Sequence, residues 1–418
     1  HSVGGDFTIG SGAVFTPGSS TFVFTATTTG KTIAPNGSSF YNVTFNGTGG
    51  NWAFSGGTAT STNDFTITTG NVTLPTATTT VGGSFTNTGG TFAHNNGALV
   101  LTSTATGKTV RANGSNFYSV TFDGSGGSWT MSDTYATSSS SFIIAAGTVT
   151  LPTIQLAVGG SFQNAGTFTS GTGTLKLTST SGARFVTGGA SSFYRVLFNG
   201  VGGSWTMASS TNATSTSDFT ITNGSVTLPP GTLAVGGSFV NAGTFTHNSG
   251  ALRLFATTTG MSITPGGSIF YDLSIDSTAG GWTMTSSATT TRNFALLRAA
   301  GFTQTSGTTL EVGGSFTNLV GGAPTTWTNT TLYLNSGTSY SVNTKSAGAD
   351  TYAILYAGAS TDVRTWNSSA ATTTTVTTSS VYSQNHAAAS GVLSIFGAYE
   401  IASGSEYWSY AADLDGIA

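Results

Sequence analysis

Along most of the chain, hydrophobic and polar positions alternate with a period of two, in short runs broken by Gly, Asn or Pro. Leu99-Val100-Leu101, Tyr118-Ser119-Val120-Thr121-Phe122 and Thr148-Val149-Thr150-Leu151 are examples. They are β-branched or aromatic, which suits a pleated, half-buried surface. Asn36-Gly37, Asn113-Gly114 and Asn223-Gly224 fall between such runs, where a left-handed backbone is easily adopted. No window carries a helical period of useful length, and only the alanines beside His386 hint at one. The pattern predicts an all-β chain of short strands.

The runs recur. Val-Gly-Gly-Ser/Asp-Phe opens at Val3, Val81, Val158, Val235 and Val312, about 77 residues apart. A Phe-Tyr pair keeps the same phase at Phe40, Phe117, Phe193 and Phe270, and a tryptophan follows each, at Trp52, Trp129, Trp205 and Trp282. Val72-Thr73-Leu74-Pro75 is echoed at Val149 and Val226. Three anchors sharing one period establish a tandem repeat. Two architectures fit it: a parallel β-solenoid, or a string of small β-sandwich domains. Units of this size are small for sandwiches without disulfides, and no Pro-rich or charged linker separates them, so the solenoid is favoured. Coils of roughly 19 to 26 residues would give three or four per repeat. Phe, Tyr, Trp, Val and Leu are expected inside, and Thr, Ser and Asn outside.

The expected organisation is a solenoid region over residues 1–333 and a divergent, Tyr-rich β region over 334–418. In the latter the anchors fade after Phe316, and Trp327 replaces the phenylalanine of Gly243-Thr244-Phe245. Residues 373–378 are its expected exposed loop or corner. The chain starts inside the repeat pattern at His1, as a processed or truncated piece would, and such a raw strand edge invites pairing with another chain.

Composition narrows the function. Only 6% of the 418 residues are charged, against roughly 25% in an average protein. Glycine accounts for 59 residues, and Ser and Thr together for 139. A formal charge of -3 offers no basic surface for nucleic acid. No apolar run reaches the roughly 20 residues that span a bilayer, so membrane insertion of this segment is not expected. With 37% hydrophobic and 11% aromatic residues, the chain does not have the composition of a disordered one. Zero cysteines exclude disulfides and thiolate metal sites.

Candidate chemistry is sparse. Asp64 and Asp218 share a repeat position with Ser141 and Asn293, while Asp123 and Asp276 match Asn46 and Asn199. Acids that alternate with Asn and Ser read as turn or cap residues. They also lie too far apart between repeats to act as a glycosidase pair. His94 and His247 occupy one repeat position and read as surface polar residues, not metal ligands. Asp413-Leu414-Asp415-Gly416 opens like a calcium loop but lacks further ligands, leaving Asp413 and Asp415 as a weak candidate site. Thr-Phe-Thr stretches recur once per repeat, too seldom for an ice-binding ladder. The tryptophans read as core or corner packing in preference to sugar platforms. No catalytic residue and no cofactor is expected. The residues expected to matter are repeat anchors: Phe85, Phe162, Phe239, Phe316, the four tryptophans at 52, 129, 205 and 282, and the turn glycines Gly82, Gly159 and Gly236.

Val-Gly-Gly-Ser-Phe, Gly-Thr-Phe-Thr-His-Asn-Ser-Gly (residues 243–250), Phe-Tyr-x-Val/Leu and Val-Thr-Leu-Pro together resemble the units of long, repetitive β-helical, adhesin-like bacterial surface proteins. The resemblance spans residues 3–334, and the stretch from Gly397 to Gly416 is similar to segments inside such proteins. It implies an extracellular, cell-surface, fibre-like role without catalysis, and it transfers no catalytic residues. The expected partners are copies of the chain itself, joined through strand edges or stacked coils, with surface glycans or neighbouring cells as further partners. Two other roles stay open. One is an adhesin or carbohydrate-binding stalk with residues 334–418 as its recognition module. The more remote one is a polysaccharide-processing β-helix enzyme.

Overall fold

The computed structural model describes residues 1–207, 211–320 and 324–334 in full. Beyond Leu334 it describes the strands Tyr340–Thr344, Asp350–Ala357, Val363–Ser368, Val376–Ser383, Val392–Phe396 and Glu406–Ser409. The described residues are all-β, with no helix, and none of them forms a helix able to cross a membrane. Every described strand pairing is parallel, with partners one coil apart, so the fold is a β-solenoid and not a row of antiparallel sandwiches. Up to Leu334 register offsets run from 19 residues, at Thr148 to Thr167, to 26, at Phe7 to Ile33. The chain divides into two compact units, His1–Ser209 and Ser210–Ala418.

In the first unit each coil has three faces. Thr58–Ser61 lies on one face, Phe65 to Ile67 on the next and Asn71 to Thr73 on the third. Following the first face leads from Thr58 to Thr78, Ala98 and Ser119, and then from Val120 to Phe142. Phe142 is the repeat equivalent of Phe65, yet it sits one face earlier. A 77-residue repeat is therefore one face short of four coils, about three and two-thirds. The tryptophans record this drift. Trp52 pairs with Val72 on the third face, while Trp129 belongs to the second, reached through Lys108–Arg111 and Phe85. Trp205 pairs with Arg184 on the first. Successive repeats thus present equivalent residues on different faces.

The second unit is built the same way. One ladder runs from Ala213–Ser215 through Thr232–Val235, Ala251–Leu254, Asp272–Asp276 and Phe294–Arg298 to Phe316–Asn318. It continues through Tyr340–Thr344, Val363–Ser368 and Val392–Phe396. A second ladder links Ala288–Thr290, Thr309–Val312, Thr331–Leu334, Asp350–Ala357, Val376–Ser383 and Glu406–Ser409. Parallel pairing therefore passes Leu334 without a break, and the coils there lengthen, as in the offset of 29 from Val363 to Val392. Val376, Thr377 and Thr378, expected in a loop, begin a strand paired with Asp350, Thr351 and Tyr352. Residues 373–375 and the alanines beside His386 lie outside the described residues.

The inside and outside assignments hold for the large apolar side chains. Trp52, Trp129, Trp205, Phe85, Phe162, Phe239 and Phe316 are at most 1% exposed, and Trp282 is 2% exposed. The anchor phenylalanines stack on the phenylalanine one coil before. Phe142 and Phe162 are 5.5 Å apart at 3°, and Phe219 and Phe239 are 5.7 Å apart at 3°. Two expectations fail. The core also holds Asn87, Asn164, Asn241, Asn318, Ser61, Ser138 and Thr79, and Tyr41, Tyr118, Tyr194 and Tyr271 are only half buried.

Candidate functional site

The repeat anchors do structural work at the corners. A Cβ on Gly82 would lie 2.2 Å from the Thr62 carbonyl oxygen, and Gly159 and Gly236 meet Ser139 and Thr216 in the same way. The next glycine serves the acid below it. A Cβ on Gly83 would lie 2.3 Å from Asp64 Oδ1, and one on Gly237 would lie 2.5 Å from Asp218 Oδ1. Those carboxylates accept hydrogen bonds from the backbone of the next coil, Asp64 from Ser84 N at 2.8 Å and Asp218 from Ser238 N at 3.0 Å. Asn293, at the same repeat position, accepts from Ser315 N at 2.9 Å. Asp and Asn interchange here because the corner needs an acceptor and not a charge.

The tryptophans fill space that glycines leave. A Cβ on Gly70 would come 2.6 Å from Trp52, one on Gly147 2.8 Å from Trp129, and one on Gly203 2.5 Å from Trp205. Trp52, Trp129 and Trp205 keep their indole N–H groups buried without a hydrogen-bond partner, whereas Trp282 donates to the Gly237 carbonyl at 3.2 Å. These rings are packing elements, closed to any sugar.

Asn87 was not foreseen. Its side chain donates to the Gly90 and Ala112 carbonyls at 3.0 and 2.9 Å and accepts from Gly90 N at 3.0 Å. Asn164 and Asn241 donate likewise to Gly188 and Pro265 at 2.7 Å. The signal was present as Phe-x-Asn after each Val-Gly-Gly anchor from Val81 onward.

His94 and His247 are more than surface polarity. Each is half buried, and its Nδ1 accepts a backbone N–H two residues on, from Asn96 and Ser249, at 2.9 Å. Those bonds close turns with two successive left-handed residues, Asn95-Asn96 and Asn248-Ser249. The imidazoles pack against Tyr118 and Tyr271, with centroids 5.5 and 5.3 Å apart.

Asp276 corrects the turn reading outright. It ends the strand Asp272–Asp276 and takes Arg253 at 3.0 Å from the preceding coil and Arg298 at 2.6 Å from the following one. Burial raises its carboxyl, but the two guanidinium hydrogen bonds outweigh that and hold it below the ordinary carboxylate value of 3.8. On the neighbouring coil Arg292 forks onto Asp272 and lies over the Tyr271 ring. This ionic strip pairs its charges internally.

Among the described residues no three His, Asp or Glu side chains gather as a metal site would require. Asp413 and Asp415 lie outside the described residues. Compared with models of known protein families, with curated protein sequences and with solved structures, the chain matches none.

Proposed function

We propose that the chain is a structural, non-catalytic segment of an extracellular cell-surface fibre that associates with copies of itself. One observation carries this reading: what recurs every 77 residues is what the coil stack needs. The glycines seat one coil on the next, the phenylalanines and tryptophans fill the interior, and the asparagines and corner acids tie successive coils together. A repeat kept for a binding or reacting surface would hold outward residues constant instead. The low charge supports association, because 25 charged side chains in 418 residues leave little repulsion between neighbouring molecules. Sedimentation velocity over a rising concentration series tests it. The sedimentation coefficient is expected to climb with concentration, and a constant monomer value would remove self-association from the account.

A further inference from the structure

The first unit carries a groove of about 420 Å³ at the corner after its first face, open to solvent and crossing three consecutive coils. Thr60, Thr80, Thr102 and Thr104 line it together with Asn63 and Lys108. Thr60 and Thr80 are register partners on neighbouring coils, about 4.8 Å apart and close to the length of a pyranose residue, and Thr102 and Thr104 follow on the third coil, past Val100, the partner of Thr80. Gly82 lies in the lining, where a side chain would collide with the Thr62 carbonyl.

The polar groups here are uncommitted. Among the described residues the Lys108 ammonium has no acid partner, and the Thr60, Thr80, Thr102 and Thr104 hydroxyls make no hydrogen bond. Asn63 donates to Asn42 Oδ1 at 2.9 Å. Asp64, the acid of the same corner, is engaged by Ser84 N.

Equivalent corners elsewhere are spent. In the next repeat Arg184 replaces Lys108 and donates to Ser179 Oγ at 3.1 Å, Thr178 bonds the Val158 carbonyl at 3.3 Å, and Ala157 replaces Thr80. In the repeat before, Lys31 stands at the cation position, but Ser2 replaces Thr80 and Thr25 bonds Ser2 and the Val3 carbonyl. In the second unit Met261 stands at the cation position and accepts from Ser238 Oγ. Only the Lys108 corner, among these, combines an unpaired cation with a row of open hydroxyls.

We infer that this groove binds an acidic sugar chain, with the uronate carboxylate on Lys108 and the ring hydroxyls on the threonines and Asn63. A lone ammonium recognises a carboxylate as a point charge, and open hydroxyls both donate to and accept from a polyol. The volume falls within the range of small-molecule sites, roughly 300 to 1,000 Å³. No aromatic ring lines the groove, so recognition is polar and salt-sensitive.

Titration calorimetry of the full chain with tetragalacturonate tests this. The fully methyl-esterified, neutral form of the same oligosaccharide serves as control. The variants are K108M and T80A, changes the chain itself carries at Met261 and Ala157, with K31M as a charge control on another face. One saturable site is expected for tetragalacturonate, weakened at least about tenfold in K108M, a few-fold in T80A and not at all in K31M. The methyl ester is expected to bind at least about tenfold more weakly than the acid. Absence of saturable binding, K108M binding like the native chain, K31M losing as much as K108M, or equal binding of the ester would each overturn the assignment.

Discussion

Asn87 is fully buried, and its amide bonds the Gly90 N–H and the Gly90 and Ala112 carbonyls, the last of which also accepts from Ser115 N at 3.2 Å. Replacing it by Leu keeps the branched shape but leaves the Gly90 N–H without its acceptor and takes a donor from the Gly90 and Ala112 carbonyls. Since a buried unpaired polar group costs about 1–3 kcal/mol, Asn87→Leu is expected to lower stability by about 2–4 kcal/mol, read from urea denaturation. Asp276 gives a pH signature at the same scale. Its folded carboxyl titrates below the ordinary value of 3.8. The stabilisation from Arg253 and Arg298 is therefore complete above that value and is lost as the pH falls through the lowered one. Unfolding midpoints of Asp276→Asn and the native chain should differ at neutral pH and converge in acid. An unchanged difference at about pH 2 would contradict the ion-pair reading. Phe-x-Asn recurs in the sequence, but neither the partners of Asn87 nor the ion pairs of Asp276 were legible from it. Asn ordinarily marks a turn, and only a coil register places the Ala112 carbonyl beside Asn87. Likewise Arg253 and Arg298 reach Asp276 only because each local coil has its own length.

At the scale of the coil, the corner glycines set the spacing between layers. Gly82→Ala would drive a Cβ into the Thr62 carbonyl, a backbone atom that cannot swing aside. A loss of about 2–4 kcal/mol in unfolding free energy is expected. Gly56→Ala, whose Cβ would meet Thr58 O at an ordinary 3.6 Å, should leave stability within about 0.5 kcal/mol of the native chain. This level was the most legible. Period-two hydrophobicity, Gly-bounded runs and anchor spacing pointed to short strands in parallel coils, and Gly82, Gly159 and Gly236 lie where a Cβ would meet the backbone of the preceding coil. Left-handed Asn36-Gly37 and Asn113-Gly114 appear as expected. Asn223-Gly224 differs: it bends within the strand Phe219–Thr227, with only Gly224 left-handed. Two-residue alternation cannot tell a hairpin turn from a solenoid corner.

Across the first unit, the mismatch of sequence repeat and three-faced coil was invisible to periodicity, because composition says which residues point inward but not to which face they belong. It has a consequence for engineering. Deleting residues 65–141, one whole repeat, joins Asp64 to Phe142, the equivalent of Phe65, and later coils can re-form after rotating by one face. Such a chain is expected to unfold cooperatively with a reduced urea m-value, since less surface is exposed. Deleting residues 65–103, about half a repeat, breaks every anchor stack at the junction and should abolish the cooperative transition. For the molecule as a whole, the proposed fibre role follows from coils whose recurring residues serve the stack itself and from the low charge, which leaves little repulsion between copies. Negative-stain electron microscopy of the full chain at increasing concentration measures this most directly. End-joined or side-joined assemblies that grow with concentration are predicted, and separate single chains at every concentration would contradict the fibre role.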